Sequence, residues 1–152
     1  MANTTETPFT GTIVEVSEDD GTTWEKFVCN EGAIDIDWGT ADENEFTCLE
    51  SGVTHTIFGA NKFSEQTFVY TWTQALTNVA DGIIMAAKLS GAEIKARITM
   101  NNKTGTETEG TTYIIPFRVK GYTHKGEANG KWTTETIWKQ NDYPVATDAV
   151  TP

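Results

Sequence analysis

Along most of the 152 residues the hydrophobic pattern has a period of two. Thr12, Val14 and Val16 alternate with polar neighbours, Ser17-Glu18-Asp19-Asp20-Gly21 carries the Asp-Gly pair of a tight turn, and Trp24-Glu25-Lys26-Phe27-Val28 resumes the alternation. This predicts an opening hairpin. Ile34, Ile36 and Trp38 alternate with Asp35 and Asp37, which predicts a strand with one apolar and one carboxylate face. Phe68, Tyr70 and Trp72 share a face, as do Ile94, Ala96, Ile98 and Met100 opposite Glu93, Lys95, Arg97 and Thr99. Tyr113, Ile115, Phe117 and Val119 oppose Ile114, Pro116, Arg118 and Lys120; Pro116, which has no N–H for a ladder, predicts an edge or a bulge there. Trp24, Trp38 and Trp72 each fall on an apolar side and read as core.

Two stretches break this period. Residues 74–89, QALTNVADGIIMAAKL, show helical spacing, with Leu76, Val79 or Ala80, Ile83 and Ala87 as the buried stripe, Thr73 as N-cap and Gly91 as stop. Gly82 weakens that helix by about 1 kcal/mol relative to Ala. The second stretch, Gly39 to Glu65, holds only a weak alternation at Val53, His55 and Ile57 and reads as a long irregular loop; loops of that length are functional or ordered by a partner. The expected fold is mainly β: a β-sandwich of about seven or eight strands with one flanking α-helix, in a single domain over residues 1–152. An N-terminal arm (1–9), a long loop (39–64) and a C-terminal arm (144–152) complete it.

The last strand, Lys131 to Lys139, fits less simply. Trp132, Thr134, Thr136 and Trp138 share one face and Thr133, Glu135, Ile137 and Lys139 the other. Neither reads as a clean core, the pattern expected of a strand lying between its own body and a second subunit.

Charge sharpens this. The net charge is −11, but residues 1–50 hold thirteen acids and one base, a net −12, while the remaining 102 residues are nearly neutral. With this balance and only two arginines, Arg97 and Arg118, the chain is a poor candidate to grip DNA or RNA. No cationic apolar leader and no apolar run of the roughly 18 residues needed to cross a bilayer occur, so a soluble, cytoplasmically made protein is expected, with Cys29 and Cys48 as reduced thiols. His55 and His124 have no nucleophile or phosphate-loop motif around them, so no enzyme is read. Cys29, Cys48, His55 and His124 are too scattered for a zinc set, and Asp35, Asp37, Asp42, Glu43 and Glu45 miss the register of a calcium loop. No metal or cofactor is expected.

The order of segments is informative in a different way. Asn44-Glu45-Phe46-Thr47-Cys48-Leu49-Glu50-Ser51-Gly52 lies in the acidic loop, Phe68-Val69-Tyr70-Thr71-Trp72 precedes the helix, and Phe117-Arg118-Val119-Lys120-Gly121-Tyr122 leads to a Gly-rich loop, a Thr-rich strand and Asp142-Tyr143-Pro144-Val145. In this content and order, about residues 10–146 resemble the major tail (tail tube) proteins of long-tailed, non-contractile bacteriophages. The resemblance implies a helix-flanked sandwich assembling as hexameric rings, whose inner sheets join into one barrel and which stack into a tube. It implies self-association, tape measure, tail tip and tail terminator proteins as partners, double-stranded DNA passing through without specific binding, and a virion location after synthesis in the host cytoplasm.

On that reading, alternating carboxylates facing the lumen would repel DNA and let it slide. Asp35, Asp37, Glu93 and Glu135 are the lumen candidates. The long loop is the expected ring-to-ring contact, which gives Asp42, Glu43, Glu45, Phe46, Leu49, Phe58 and Phe63, with Trp132 and Trp138 from the last strand, as inter-subunit candidates. Rival readings are a carbohydrate-binding or adhesion module using exposed Trp rings, and a ring protein of a contractile tail or secretion system.

Overall fold

The computed structural model describes residues 7–27, 30–72, 74–102 and 110–147. In chain order the elements are β1 (Ile13–Ser17), β2 (Glu25–Lys26), β3 (Asn30–Glu31), β4 (Thr40–Thr47), β5 (Thr54–Lys62), β6 (Glu65–Thr71), α1 (Gln74–Ser90), β7 (Ile94–Thr99), β8 (Thr112–Lys125), β9 (Thr133–Gln140) and β10 (Val145–Thr147). The main sheet has the order β2-β1-β7-β8-β9-β6-β3, with β10 added on β8, and all its described pairings are antiparallel. Strands β4 and β5 form a separate two-stranded sheet. The mainly-β expectation with one helix holds.

The sheet curls strongly. Phe27 follows β2 while Phe68 and Tyr70 lie on β6, five strands away, a separation of roughly 24 Å in a flat sheet. Their ring centroids are instead 5.1 and 4.7 Å apart. The enclosed core comprises Val14, Val16, Ile94, Ala96, Ile98, Ile115, Phe117, Val119, Phe68, Tyr70 and Trp138 from alternate strand positions. It is closed by Ala80, Ile83, Ile84 and Ala87 of α1. Gly91, at φ 71°, ends the helix by donating its N–H to the Ala87 carbonyl at 2.9 Å. Thr73, the expected N-cap, lies outside the described residues. Of the two alternatives for the stripe, Ala80 is buried and Val79 is 52% exposed.

The opening hairpin forms where the Asp-Gly pair placed it, with Asp20 at φ 60° and Gly21 at φ 88°. The Ser17 hydroxyl donates to Asp19 Oδ1 at 2.7 Å and accepts the Gly21 N–H at 2.9 Å. The Ser17 hydroxyl first, then the Thr23 N–H, hold the Asp19 carboxyl down at about 2.

Four expectations are corrected. First, residues 39–64 are not an irregular loop but the β4–β5 hairpin, whose two faces both meet water, so pairing leaves no apolar alternation to read. Second, the Ile34–Trp38 stretch is extended but joins no ladder. The Asp35 and Asp37 N–H groups donate to the side-chain oxygens of Gln66 and Gln140, and the two glutamine amides donate back to the Asp35 and Asp37 carbonyls. Two side chains thus take the place of a neighbouring strand. Third, none of Trp24, Trp38 and Trp72 is core. Trp24 is a shelf for Arg97, whose guanidinium lies 4.6 Å from its ring centroid and also grips Glu15 through two bonds; Trp38 and Trp72 are exposed. Fourth, Pro116 sits inside the central strand β8 and not at a sheet edge. Its carbonyl accepts the Asn141 N–H in the gap between the β9 and β10 pairings, and N–H and C=O of one strand residue point the same way, so the missing donor falls in that gap. The bulge lies further on, between Val119 and Gly121. In the expected C-terminal arm, residues 145–147 are strand β10.

Candidate assembly surfaces

A two-stranded hairpin alone is marginal in water, and β4–β5 pairs with no strand of the main sheet. Its root is fastened instead. One oxygen of Asp37 accepts the Gly39 N–H at 2.9 Å and the other the Ser64 N–H at 2.6 Å. Phe63 packs edge-on against Tyr143 at 5.5 Å, and the Asn61 amide donates to the Tyr143 hydroxyl. Beyond that root the arm is solvated along nearly its whole length.

The register sorts its side chains. Partners directly opposite share a face, so Glu43, Phe58, Glu45, Thr56, Thr47 and Thr54 lie on one side and Asn44, Ile57, Phe46 and His55 on the other. The Thr47 and Thr54 hydroxyls lie 3.1 Å apart on the first, and Phe46 stacks on His55 at 5.3 Å on the second. One face is acidic, the other aromatic and aliphatic. Asp42 sits at the irregularity between Ala41 and Glu43 and pairs with Lys62 at 3.3 Å. At the turn, Gly52 donates to the Cys48 carbonyl and Leu49 is 100% exposed.

Strand β9 separates two residues that the sequence grouped. Trp138 is fully buried between Phe117, stacked at 4.1 Å, and Phe68, at 4.8 Å. It is core, fully buried within its own chain, which corrects its assignment as an inter-subunit residue; Thr134 and Thr136 on the same face are equally buried. Trp132 precedes the strand and is 59% exposed. With Trp72 and His124 it lines a cleft of about 300 Å³. The Trp72 N–H donates to the Trp132 carbonyl at 3.1 Å, extending the β6–β9 ladder by one step. The His124 ring faces Trp72 at 6.0 Å and its Nδ1 lies 3.0 Å from the Thr134 hydroxyl. Gly126 lies beneath Trp132, where a Cβ would come to 3.0 Å from the indole ring and press the exposed ring outward.

The four lumen candidates do not form one row. Asp35 is exposed and its carboxylate has no partner among the described residues. Asp37 is committed to the hairpin root. Glu93 accepts from the Asn141 amide, and Glu135 pairs with Lys125 at 2.8 Å. Elsewhere on the main sheet Glu15 pairs with Arg97 and Glu65 with Lys120 at 2.6 Å, and the Lys120 bond holds the Glu65 carboxyl below its usual range. Among the described residues, Glu43 and Glu45 on one hairpin face have no cation partner.

Sequence reasoning missed Tyr122 and the buried Asp81. The Tyr70 and Tyr122 hydroxyls both donate to Asp81 Oδ1, at 2.5 and 2.6 Å, tying α1 to β6 and β8. Burial first, and the Asp81 carboxylate second, push both hydroxyls well above the ordinary Tyr range. It also missed the Gln66 and Gln140 bridges, which have no sequence signature, and the cleft, for which Trp72 at a strand end was the available clue. Among the described residues no group of acids, His and Cys could hold a metal ion, and no helix is long and apolar enough to cross a membrane.

No family model and no curated protein matches this chain. Solved structures do. A chain of the sheath/tube terminator of PVC, an extracellular contractile injection system, aligns with a TM-score of 0.66 at 17% identity, covering 96% of this chain and 99% of that one. A chain of the anti-feeding prophage tube-terminating cap gives 0.65 at 14% identity, covering 98% and 95%. The tail of an empty gene transfer agent particle, refined helically with C6 symmetry, gives 0.62 at 15% identity, covering 89% and 94%. The fold is therefore one found in phage-tail-like particles, and it extends to contractile systems beyond the non-contractile tails that the sequence resembles.

Proposed function

We propose that this chain is a structural subunit of the tube of a phage-like tail, assembling as stacked hexameric rings around a lumen through which DNA passes. The observation that carries the reading is the β4–β5 arm: a strand pair without a core of its own, exposing Phe46, Ile57, Phe58 and Leu49 to water. Such an arm gains its stability from a second surface. The tail-particle fold of the neighbours supports the same reading. So does the outer side of α1, where Val79, Met85 and Leu89 are exposed.

In this assembly the inter-subunit residues are Asp42, Glu43, Glu45, Phe46, Leu49, Phe58, Phe63 and Trp132. The acidic lining falls to Asp35, whose carboxylate has no cation among the described residues. Tape measure, tip and terminator proteins would bind the tube's inside and ends, and the role needs no catalysis or cofactor. The working location is the particle, after synthesis in the host cytoplasm. Negative-stain electron microscopy of the concentrated protein tests this: open tubes with a central hole are expected. Single rings that never stack would assign the chain to a terminator, and a persistent monomer under all assembly conditions, including an added tail-tip initiator, would reject the proposal.

A further inference from the structure

We infer that residues 34–38 are a latch: a strap held against the core by the amides of Gln66 and Gln140, which opens as one unit with the root of the β4–β5 arm while the main sheet stays folded. Four backbone N–H groups carry this. Asp35 donates to Gln66 Oε1 at 2.8 Å and Asp37 to Gln140 Oε1 at 3.3 Å, while Gly39 and Ser64 donate to the two carboxylate oxygens of Asp37. All four acceptors are side-chain atoms, and none belongs to a strand ladder. Gln66 lies opposite the core residue Trp138 in the β6–β9 register, and Gln140 is two residues further along β9. Both amides therefore rise from the core side of adjacent strands. The strap lies across that side, with Ile34 and Ile36 half-buried against the core.

A segment that opens needs room and hinges, and both are present. One cavity of about 550 Å³ lies between residues 34–37 and residues 64–66, and another of about 180 Å³ lies among Phe9, Ile34, Ile36, Ile98 and Met100. Close-packed neighbours would block a sideways shift, and these voids do not. Glycines with left-handed backbone stand at either end, Gly32 at φ 82° and Gly39 at φ 88°. Gln140 is the node. Buried, it donates to the Asp37 carbonyl at 2.6 Å and to the Asp142 carbonyl at 2.8 Å. Asp37 passes that grip on, because its backbone is bound to Gln140 while its carboxylate holds Gly39 and Ser64 at the arm root. The remaining root contacts, of Tyr143 with Phe63 and Asn61 and of Lys139 with the Phe63 carbonyl, lie at the surface. No ladder of the main sheet uses any of these bonds, so the sheet survives their loss. Opening the latch lets the arm change its angle to the body in a single copy, whether or not copies assemble.

Residue-resolved hydrogen exchange by NMR, on the monomer across a series of low urea concentrations, provides the test. After correction for intrinsic rates, the amides of Asp35, Asp37, Gly39 and Ser64 should share one opening constant. It should be at least about a hundredfold larger than that of Ala96, Ile98 and Phe117, which have paired strands on both sides, and independent of urea, because a local opening exposes little surface. Gln66→Ala removes contacts to Asp35 alone on the strap. It should nonetheless speed Asp37, Gly39 and Ser64, whose own acceptors remain, by one common factor of roughly ten. Four amides that exchange as slowly as the sheet, or with unequal opening constants, would overturn the inference from the wild-type protein alone. Gly39 and Ser64 unmoved by Gln66→Ala would overturn it too, by showing that strap and root open independently. Both measurements use single copies, so a failed latch leaves the tube reading standing, and a failed assembly leaves the latch.

Discussion

Trp132 and Trp138 are six residues apart and chemically identical, yet their substitutions should fail differently. Trp138 fills the space between Phe68 and Phe117. Trp138→Ala removes that packing and leaves a cavity, a loss of about 3–5 kcal/mol out of the roughly 5–15 available to a domain. A urea titration followed by circular dichroism should show its midpoint collapsing. Trp132→Ala, at an exposed position, should stay within about 0.5 kcal/mol of the parent. Equal losses for the two would refute this division of roles. Gly82 offers the opposite sign. It lies inside α1, its φ is not in the left-handed region, and a Cβ there would meet nothing within 4 Å. Gly82→Ala should therefore stabilise by about 0.5–1 kcal/mol through helix propensity and the unfolded chain's entropy, read as a raised urea midpoint.

The seat of α1 gives a prediction with a definite pH window. Tyr70 and Tyr122 are harder to ionise when folded, because burial and then Asp81 disfavour the phenolate. A raised folded value adds stability that is complete below the unfolded value, about 10 for Tyr, and drains away as pH climbs past it. Melting temperature followed from about pH 8 to about pH 11 should decline beyond that point, and the decline should be shallower in Tyr122→Phe. An unchanged slope would place the alkaline sensitivity elsewhere. This seat also marks where sequence patterns stop being readable. The strands around Val14, Phe68, Ile98 and Phe117 were legible because one face of each is dry, and α1 was legible because Ala80, Ile83 and Ala87 recur at helical spacing. The arm was not, since strands wet on both faces need no alternation. Asp81 was not, because a buried carboxylate accepting two hydroxyls has the same letter as a solvated one. Trp38 and Trp72 misled, because an apolar residue at the end of an alternating run sits on the core side of the alternation whether or not the core extends that far.

At the scale of the whole molecule, net charge opposes the association that the exposed apolar surfaces favour. Each copy carries −11. Treating two copies as point charges about 40 Å apart, a diameter typical of a chain this long, gives a repulsion of roughly 3 kcal/mol at about 0.01 M salt and less than about 0.1 kcal/mol at about 0.15 M. Cation–carboxylate pairs at a contact rim contribute about 0.2–1 kcal/mol each and are screened by the same ions. With one or two such pairs, repulsion dominates at low salt. The critical concentration for polymerisation, measured by sedimentation, should therefore fall as salt rises over that range, by roughly two powers of ten for 3 kcal/mol. Charge-neutralising Glu18→Gln and Glu25→Gln, both outside the arm and the cleft, should reproduce part of the fall at low salt. A critical concentration that instead rises with salt would show that rim ion pairs hold the copies together, moving the main attraction from the apolar tip at Leu49 to the arm's acidic face at Glu43 and Glu45.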